Sequence, residues 1–416
     1  MKVLLCGADG FLGRHIAAAL AARGHQVVRG VHRPRLPEDV PVDYRTDTCA
    51  ETWLPRLNGI DAAINAVGIL RESLAGDFEQ VHHRAPAALF EACRQSGVER
   101  VIQISALGAG GTPYLSSKRA ADQALRNLLP DRGIVVRPGL VFGADGDSTR
   151  FFLMLASLPV QADAGGAGEV QPIHVHDLAD LLVRLVEGAA VAEGILEAPG
   201  PRRLGYRQWL AGYRALLGLA PAQRLPVPAW LMSAAASLAG LIPGSLLTRD
   251  TWTMLRAGNT GDCNQAEAIL ARPLTPPERF VAAEAAAGLR LRALAQWRRP
   301  LSLAVLAFIW FASAALSAGL YPVQASLALL APFGLSGTAA VAVLVLAVCA
   351  DAAMGLLTVW RPGPRLWQAQ LILIIAYSLL VAWRLPAFLF HPFAPILKNL
   401  AVMTLLIGLW AEETAT

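Results

Sequence analysis

The distribution of charge constrains this 416-residue chain more than any other feature. Of its 36 lysines and arginines and 31 aspartates and glutamates, only Asp351, Arg361, Arg365, Arg384, Lys398, Glu412 and Glu413 lie beyond Pro300. The stretch 300–350 runs for 51 residues without a charged side chain. A run of that length exceeds what a soluble core needs, so this part of the chain is expected to cross a membrane. The preceding residues carry ordinary charge, and the expected division is a globular domain over 1–295 and a membrane domain over 296–416.

Four apolar segments are expected to span the bilayer, at 301–320, 338–359, 366–383 and 395–410, with 321–337 a re-entrant or surface loop broken by Pro322, Pro332 and Gly334. Arg290, Arg292, Arg298, Arg299, Arg361 and Arg365 flank one side of these spans, whereas Arg384 and Lys398 flank the other. The cationic bias predicts an integral protein of a bacterial inner membrane, with the N-terminal domain and both termini cytoplasmic. Asp351 sits within the second span, where a carboxylate is either a functional group or a hydrogen-bond partner of a neighbouring helix.

The net charge of +5 comes without a lysine-arginine block interleaved with aromatics, which argues against a nucleic-acid partner. Five cysteines without metal-ligand spacing fit a reducing compartment, and no metal site is expected. His174 and His176 are expected as structural residues at a strand end.

Before residue 300 the pattern alternates. Lys2–Cys6, 27–31, 61–65, 101–105 and 133–137 read as strands, and 14–23, 50–57, 79–96 and 115–129 as helices, which makes βαβ units and a parallel, doubly wound sheet. Further on, 178–187 and the amphipathic 205–217 read as helices. A small substrate region is expected from about residue 200, closed by 273–287. Within it, 225–248 is uncharged and reads first as a buried helix, with a segment resting on the membrane interface as the alternative.

Chemistry enters at Gly7-Ala8-Asp9-Gly10-Phe11-Leu12-Gly13, directly after the first strand. Gly7 permits a tight turn, Gly10 lets the backbone approach a pyrophosphate, and Gly13 allows close helix-to-strand packing. After the second strand an NAD site wants a carboxylate. Here His32, Arg33 and Arg35 stand instead, and Arg33 with Arg14 suits a 2′-phosphate. NADP(H) is therefore expected in preference to NAD(H), unless Arg33 and Arg35 are simply solvated. Tyr114 and Lys118, four apart at the start of a helix, share a face, so that the ammonium is expected to depress the phenol pKa and the phenol to act as acid or base. Ser105, ending the 101–105 strand, is placed to hydrogen-bond a substrate oxygen.

With Asn65-Ala66-Val67-Gly68, Ser105-Ala106-Leu107-Gly108-Ala109, Arg137-Pro138-Gly139-Leu140-Val141-Phe142-Gly143 and Pro172-Ile173-His174-Val175-His176-Asp177-Leu178-Ala179, these motifs stand in the order of a known superfamily. Residues 1–295 resemble the extended and atypical short-chain dehydrogenase/reductases, in the group of epimerase/dehydratase-like proteins that includes the 39 kDa NADPH-binding subunit of mitochondrial complex I. The resemblance implies an α/β Rossmann fold with the cofactor across the strand ends, Asp47 near the adenine, Asn65, Ala66, Val67 and Gly68 along the cofactor, and Pro138 to Val141 near the nicotinamide. Residues 300–412 resemble the DoxX-like four-helix membrane family, most clearly at His391-Pro392-Phe393 and Pro395-Ile396-Leu397-Lys398-Asn399-Leu400.

One departure bears on mechanism. Active extended members place the catalytic serine or threonine some twenty residues or more before the tyrosine, whereas Ser105 and Tyr114 are nine apart. The expected function is a membrane-tethered NAD(P)(H)-dependent oxidoreductase acting on a carbonyl or alcohol of a small, lipid-like or quinone-like molecule. The alternative is a catalytically silent nucleotide-binding structural, assembly or redox-sensing protein. The oligomeric state is open.

Overall fold

The computed structural model describes residues 1–242 and 244–414; Pro243, and Thr416 with the cytoplasmic location expected for it, lie outside the described residues. Two compact units are present, Met1–Ala293 and Leu294–Thr416.

The first unit contains strands β1 (Lys2–Cys6), β2 (Gln26–Val31), β3 (Val40–Pro41), β4 (Ala62–Asn65), β5 (Arg100–Ile104), β6 (Gly133–Pro138), β7 (Val141–Phe142), β8 (Val160–Ala164), β9 (Ile173–His174), β10 (Ile195–Ala198) and β11 (Gln223–Val227). Its helices are α1 (Phe11–Ala22), α2 (Ala50–Trp53), α3 (Ala85–Ser96), α4 (Pro113–Leu128), α5 (Asp147–Ser157), α6 (Val175–Val186), α7 (Tyr206–Leu216), α8 (Ala229–Ala239), α9 (Arg249–Ala257) and α10 (Asn264–Leu270). Seven strands form one parallel sheet in the order β10-β6-β5-β4-β1-β2-β3. Because helices cover both faces, the strands are apolar on both sides: Val3, Leu4, Leu5 and Cys6 are all fully buried. Val3, Leu5, Ile64 and Val136 pack with α1 and α6 on one face, and Leu4, Ala63 and Val101 pack with Trp53, Leu89 and Phe90 on the other.

The strand order reverses between β1 and β4, which opens a crevice at their carboxyl ends. Register brings Cys6 level with both Gly30 and Asn65, so the turns after β1, β2 and β4 rise together at that crevice. Strands β3 and β10 complete the sheet without having been expected; with two and four residues they are too short to show a period.

Stretch 225–248 departs from its first reading as a buried helix. Pro226 and Pro228 hold the chain extended, β11 pairs with β8, and α8 follows with only Ala236 buried. Trp230, Leu238, Leu241 and Ile242 stand between 62% and 78% exposed.

The second unit is built on α11 (Ala283–Ala315, which also contains the division between units), α12 (Val323–Ala328), α13 (Gly337–Trp360), α14 (Pro364–Arg384) and α15 (Pro395–Thr414). The first apolar segment is thus the end of a helix that starts well before residue 301, and α12 occupies part of the expected loop. Among the described residues four helices are long and apolar enough to cross a bilayer, which makes this an integral membrane protein. Leu306, Trp310, Trp367 and Leu406 form its core, laced by a polar chain in which Trp310 Nε1 donates to Gln370 and Gln370 donates to Thr358. Asp351 accepts a 2.7 Å hydrogen bond from Ser313, the helix-to-helix partner expected under its structural reading.

Candidate functional site

The turn after β1 is shaped by glycine for two separate reasons. Gly7 has φ +81°, in the left-handed region, and donates its N–H to Gly30 O at 2.8 Å. At Gly13 a Cβ would lie 2.0 Å from Gly7 O, so only a residue without a side chain lets α1 approach β1 this closely. Gly10 differs, since a Cβ there would meet only Gly7 O at 3.2 Å. Packing constrains that glycine less than Gly13, and no other atom lies within 4 Å of the added carbon. No side chain caps α1 at this end, so its first N–H groups face the crevice as anion donors. The cradle therefore fits the pyrophosphate of a dinucleotide. Leu12 packs against the core, while Phe11 lies against the Gly143–Gly146 turn, where added Cβ atoms would come within 2.6 to 3.0 Å of its ring.

Charged residues around the cradle are placed unequally. Arg33 is exposed just beyond β2. Arg14 donates to Asp9 O and to the Asp145 carboxylate, both at 2.8 Å. Asp47 already accepts from Arg56 at 2.6 Å and from the Asp43 N–H at 2.7 Å. Asn65 is buried and holds the turn that follows it: its Oδ1 accepts from Tyr44 Oη and the Val67 N–H, and its Nδ2 donates to Gln103. Ala66 and Val67 press against Gly7, and Gly68 leaves room for Lys118, whose Nζ would lie 3.0 Å from a Cβ there. At the far side, Pro138 O accepts from the Leu107 N–H, and Val141 pairs with Ile173.

Helix α4 begins under a Thr112 cap, with Tyr114 half-buried in its first turn. The Tyr114 ring packs edge-on against His82 at 5.4 Å and Phe78 at 6.1 Å. His82 accepts from the Ile69 N–H, meets Ser117 Oγ at 2.9 Å, and is held neutral by burial. Lys118 is 4% exposed and donates to Val67 O and Ile104 O, at 3.1 and 3.3 Å. The expected depression of the Tyr114 phenol is corrected here: desolvation pushes it up to about 12 and lowers the Lys118 ammonium to about 8. The ammonium is occupied by backbone carbonyls, and burial dominates both groups.

Ser105 is likewise buried, and its hydroxyl donates to Asp122 Oδ2 at 3.0 Å, which also accepts from Arg137. Desolvation raises the Asp122 carboxyl against the pull of Arg137 and Lys118. The sequence reading passed over Asp122, although Tyr114, Lys118 and Asp122 stand at successive intervals of four on one helix face. His82 and Asn259 carried no such signal. Asn259 reaches from 152 residues away to donate to Leu107 O, with its Oδ1 buried and without a partner among the described residues.

Beside these groups lies a cavity of about 240 Å³, bounded by Leu107, Gly108, Leu115, Phe152, Trp209 and Trp252. Leu107 follows Ser105 closely, and Leu115 is next to Tyr114. The lining is hydrocarbon for the most part, which suits an apolar ligand.

Fold and site together define a dinucleotide-binding α/β domain joined to a membrane bundle. Residues 3–195 match the NAD dependent epimerase/dehydratase family and residues 307–407 the DoxX-like family. The chain is 32% identical over 245 residues to a ceramide reductase of Caulobacter vibrioides, covering 56% of this chain and 76% of that one. Through its N-terminal domain it belongs to the NAD dependent epimerase/dehydratase family. It is 31% identical over 217 residues to the Arabidopsis thaliana mitochondrial NADH dehydrogenase [ubiquinone] 1 alpha subcomplex subunit 9, covering 47% of this chain and about half (52%) of that subunit. Among solved structures, the human epimerase family protein SDR39U1 with NADPH shares the fold at TM-score 0.52 and 20% identity, covering 70% of this chain and 99% of that one.

Replacing Gly13 with alanine forces α1 away from the β1 turn. We expect Gly13→Ala to lower stability by about 1–3 kcal/mol, seen as a reduced Tm, and to weaken dinucleotide binding measured by calorimetric titration.

Proposed function

We propose that this protein is a membrane-tethered NAD(P)(H)-dependent oxidoreductase that interconverts a carbonyl and an alcohol on a lipid-like molecule. The observation carrying this reading is that three features stand at the carboxyl end of one sheet: the glycine cradle after β1, the Tyr114–Lys118 face of α4, and a hydrocarbon-lined cavity whose wall includes Leu115, the neighbour of Tyr114, and Leu107, two residues after Ser105. The relationship to a ceramide reductase supports a lipid-like substrate.

A bound nicotinamide dinucleotide would supply or accept the hydride. Gly7, Gly10, Phe11, Leu12 and Gly13 would hold its phosphates through their backbone, with Asn65, Ala66, Val67, Gly68, Pro138 and Val141 shaping the groove along it. Arg33, exposed at the end of β2 where no carboxylate stands, favours the 2′-phosphate of NADP(H), joined by Arg14 on release from Asp145. Asp47, paired with Arg56, would border the adenine through its backbone turn.

The chain's own chemistry is proton handling. At neutral pH a phenol pushed up to about 12 stays protonated, so Tyr114 acts as the acid that donates to a substrate oxygen. Lys118, one turn further along the same face of α4, would serve as its orienting cation when a bound ligand takes the ammonium from the Val67 and Ile104 carbonyls. Ser105 would hold the substrate oxygen once its hydroxyl proton, donated to Asp122 in this structure, turns toward it. A second reading, a silent nucleotide-binding module, has its own support: in this structure the Ser105 hydroxyl is engaged by Asp122, and the chain also matches the complex I subunit.

Two variants test these roles. Arg33→Ala should reduce the preference for NADPH over NADH by about 10- to 100-fold, the loss of one charge-assisted contact, in paired titrations; an unchanged ratio removes Arg33 from the assignment. Tyr114→Phe should keep NADPH affinity while turnover falls by about 10²- to 10⁴-fold, followed as cofactor oxidation against aldehyde, ketone and quinone panels. Turnover that survives the substitution removes Tyr114 as the acid.

A further inference from the structure

Helix α8 is apolar on every side: Ala229-Trp230-Leu231-Met232-Ser233-Ala234-Ala235-Ala236-Ser237-Leu238-Ala239. A helix of that composition is covered by protein or by lipid. One side does pack inward, where Met232 lines the cavity and Ser233 accepts a hydrogen bond from Trp252 Nε1. The other side is bare. Trp230 is 71% exposed, Leu238 68%, Leu241 78% and Ile242 62%, and Leu231 adds a fifth apolar side chain.

The polar groups of this segment make few demands on water. Ser233 and Ser237 turn their hydroxyls back to the carbonyls of Ala229 and Ser233, at 2.9 Å each. Arg71 reaches across to donate to Gly240 O and Ile242 O, at 2.7 and 2.9 Å, satisfying carbonyls where α8 ends. Such internal closure is what backbone and hydroxyl groups need next to hydrocarbon. Arg71 is exposed where it meets the end of α8, and the segments that flank α8 in the chain carry two more exposed cations, Arg224 in β11 and Arg249 at the start of α9; tryptophan together with arginine is the composition of a membrane–water interface.

We infer that α8 and the turn after it, through Trp230, Leu231, Leu238, Leu241 and Ile242, form a monotopic contact that rests the N-terminal unit on a bilayer surface, with the three arginines at the headgroups of anionic lipids. A bilayer is the occupant this chain itself provides, because it passes from Ala293, a core residue of the N-terminal unit, into an apolar span within a few residues. At 11 residues α8 is too short to cross the hydrocarbon core, so it lies in the interface. The contact stands whether or not the protein is a redox enzyme. If it is one, Met232 makes α8 a shared wall between the bilayer and the cavity, the position from which a lipid-like molecule enters.

The test uses the full chain in nanodiscs of phosphatidylcholine and phosphatidylglycerol. The exposed cysteines are removed as Cys49→Ser and Cys349→Ala, and a nitrobenzoxadiazole reporter is attached at Leu241→Cys or, as the water-exposed control, Ser96→Cys; the protein without either serves as blank. Expected is quenching by doxyl-labelled lipid at least about threefold stronger at residue 241 than at residue 96, with iodide quenching reduced to match. Equal behaviour at the two positions overturns the inference. Protection of residue 241 from iodide without quenching by doxyl lipid also overturns it, since protein rather than lipid would then cover the face.

Discussion

At Gly13 the first helix lies so near the β1 turn that a single added carbon would sit 2.0 Å from the Gly7 carbonyl oxygen. That contact aims the open N-terminus of α1 at the point where the strand order reverses, and the neighbouring elements are arranged around it. Asn65 ties the turn after β4 to the same level, pressing Ala66 and Val67 against Gly7. Gly68 then leaves the space through which Lys118 reaches from α4 toward the crevice. The dipole and backbone donors of α1 supply attraction for an anion, and the glycines supply the room that the anion needs.

Beneath that crevice the second constraint is desolvation. Lys118, Asp122, Ser105 and His82 are all buried, and each is given a partner within the domain. Burial moves Tyr114 and Asp122 up and Lys118 down, so every group is biased toward its neutral form. A phenol held protonated next to an apolar cavity is suited to giving a proton to a carbonyl oxygen whose surroundings exclude water. The same burial makes the arrangement rigid, because moving any one partner would leave another buried and unsatisfied.

How much of this was readable from the residues depends on the range of the interactions. The glycine turn, the parallel sheet and the membrane helices announce themselves by local spacing or by missing charge, and they stand where expected. Strands β3 and β10 are too short for a period, and the π-helical turn Glu79–Arg84, which runs directly into α3, blends into its helix. Direction of pKa was misread at Tyr114 because spacing along a helix reports that two groups share a face, not that both are desolvated or that the carbonyls of Val67, in the turn after β4, and Ile104, at the end of β5, draw the ammonium away. Asp122 was legible by the same spacing. Stretch 225–248 shows the reverse failure: absence of charge says that the segment avoids water, and only the folded arrangement shows that protein covers one side of α8 and leaves the other bare.

The central claim joins the dinucleotide cradle to the apolar cavity as one redox site. Hydride transfer is read most directly with C4-deuterated NADPH, using the full chain in nanodiscs that contain a long-chain keto-lipid. The account predicts deuterium on the carbinol carbon of the recovered lipid alcohol, bound to one face only, and transfer about 10²- to 10⁴-fold slower when Tyr114 is replaced by phenylalanine. Saturating NADPH binding with no deuterium transferred, to this lipid or to aldehydes and quinones offered in its place, would contradict it.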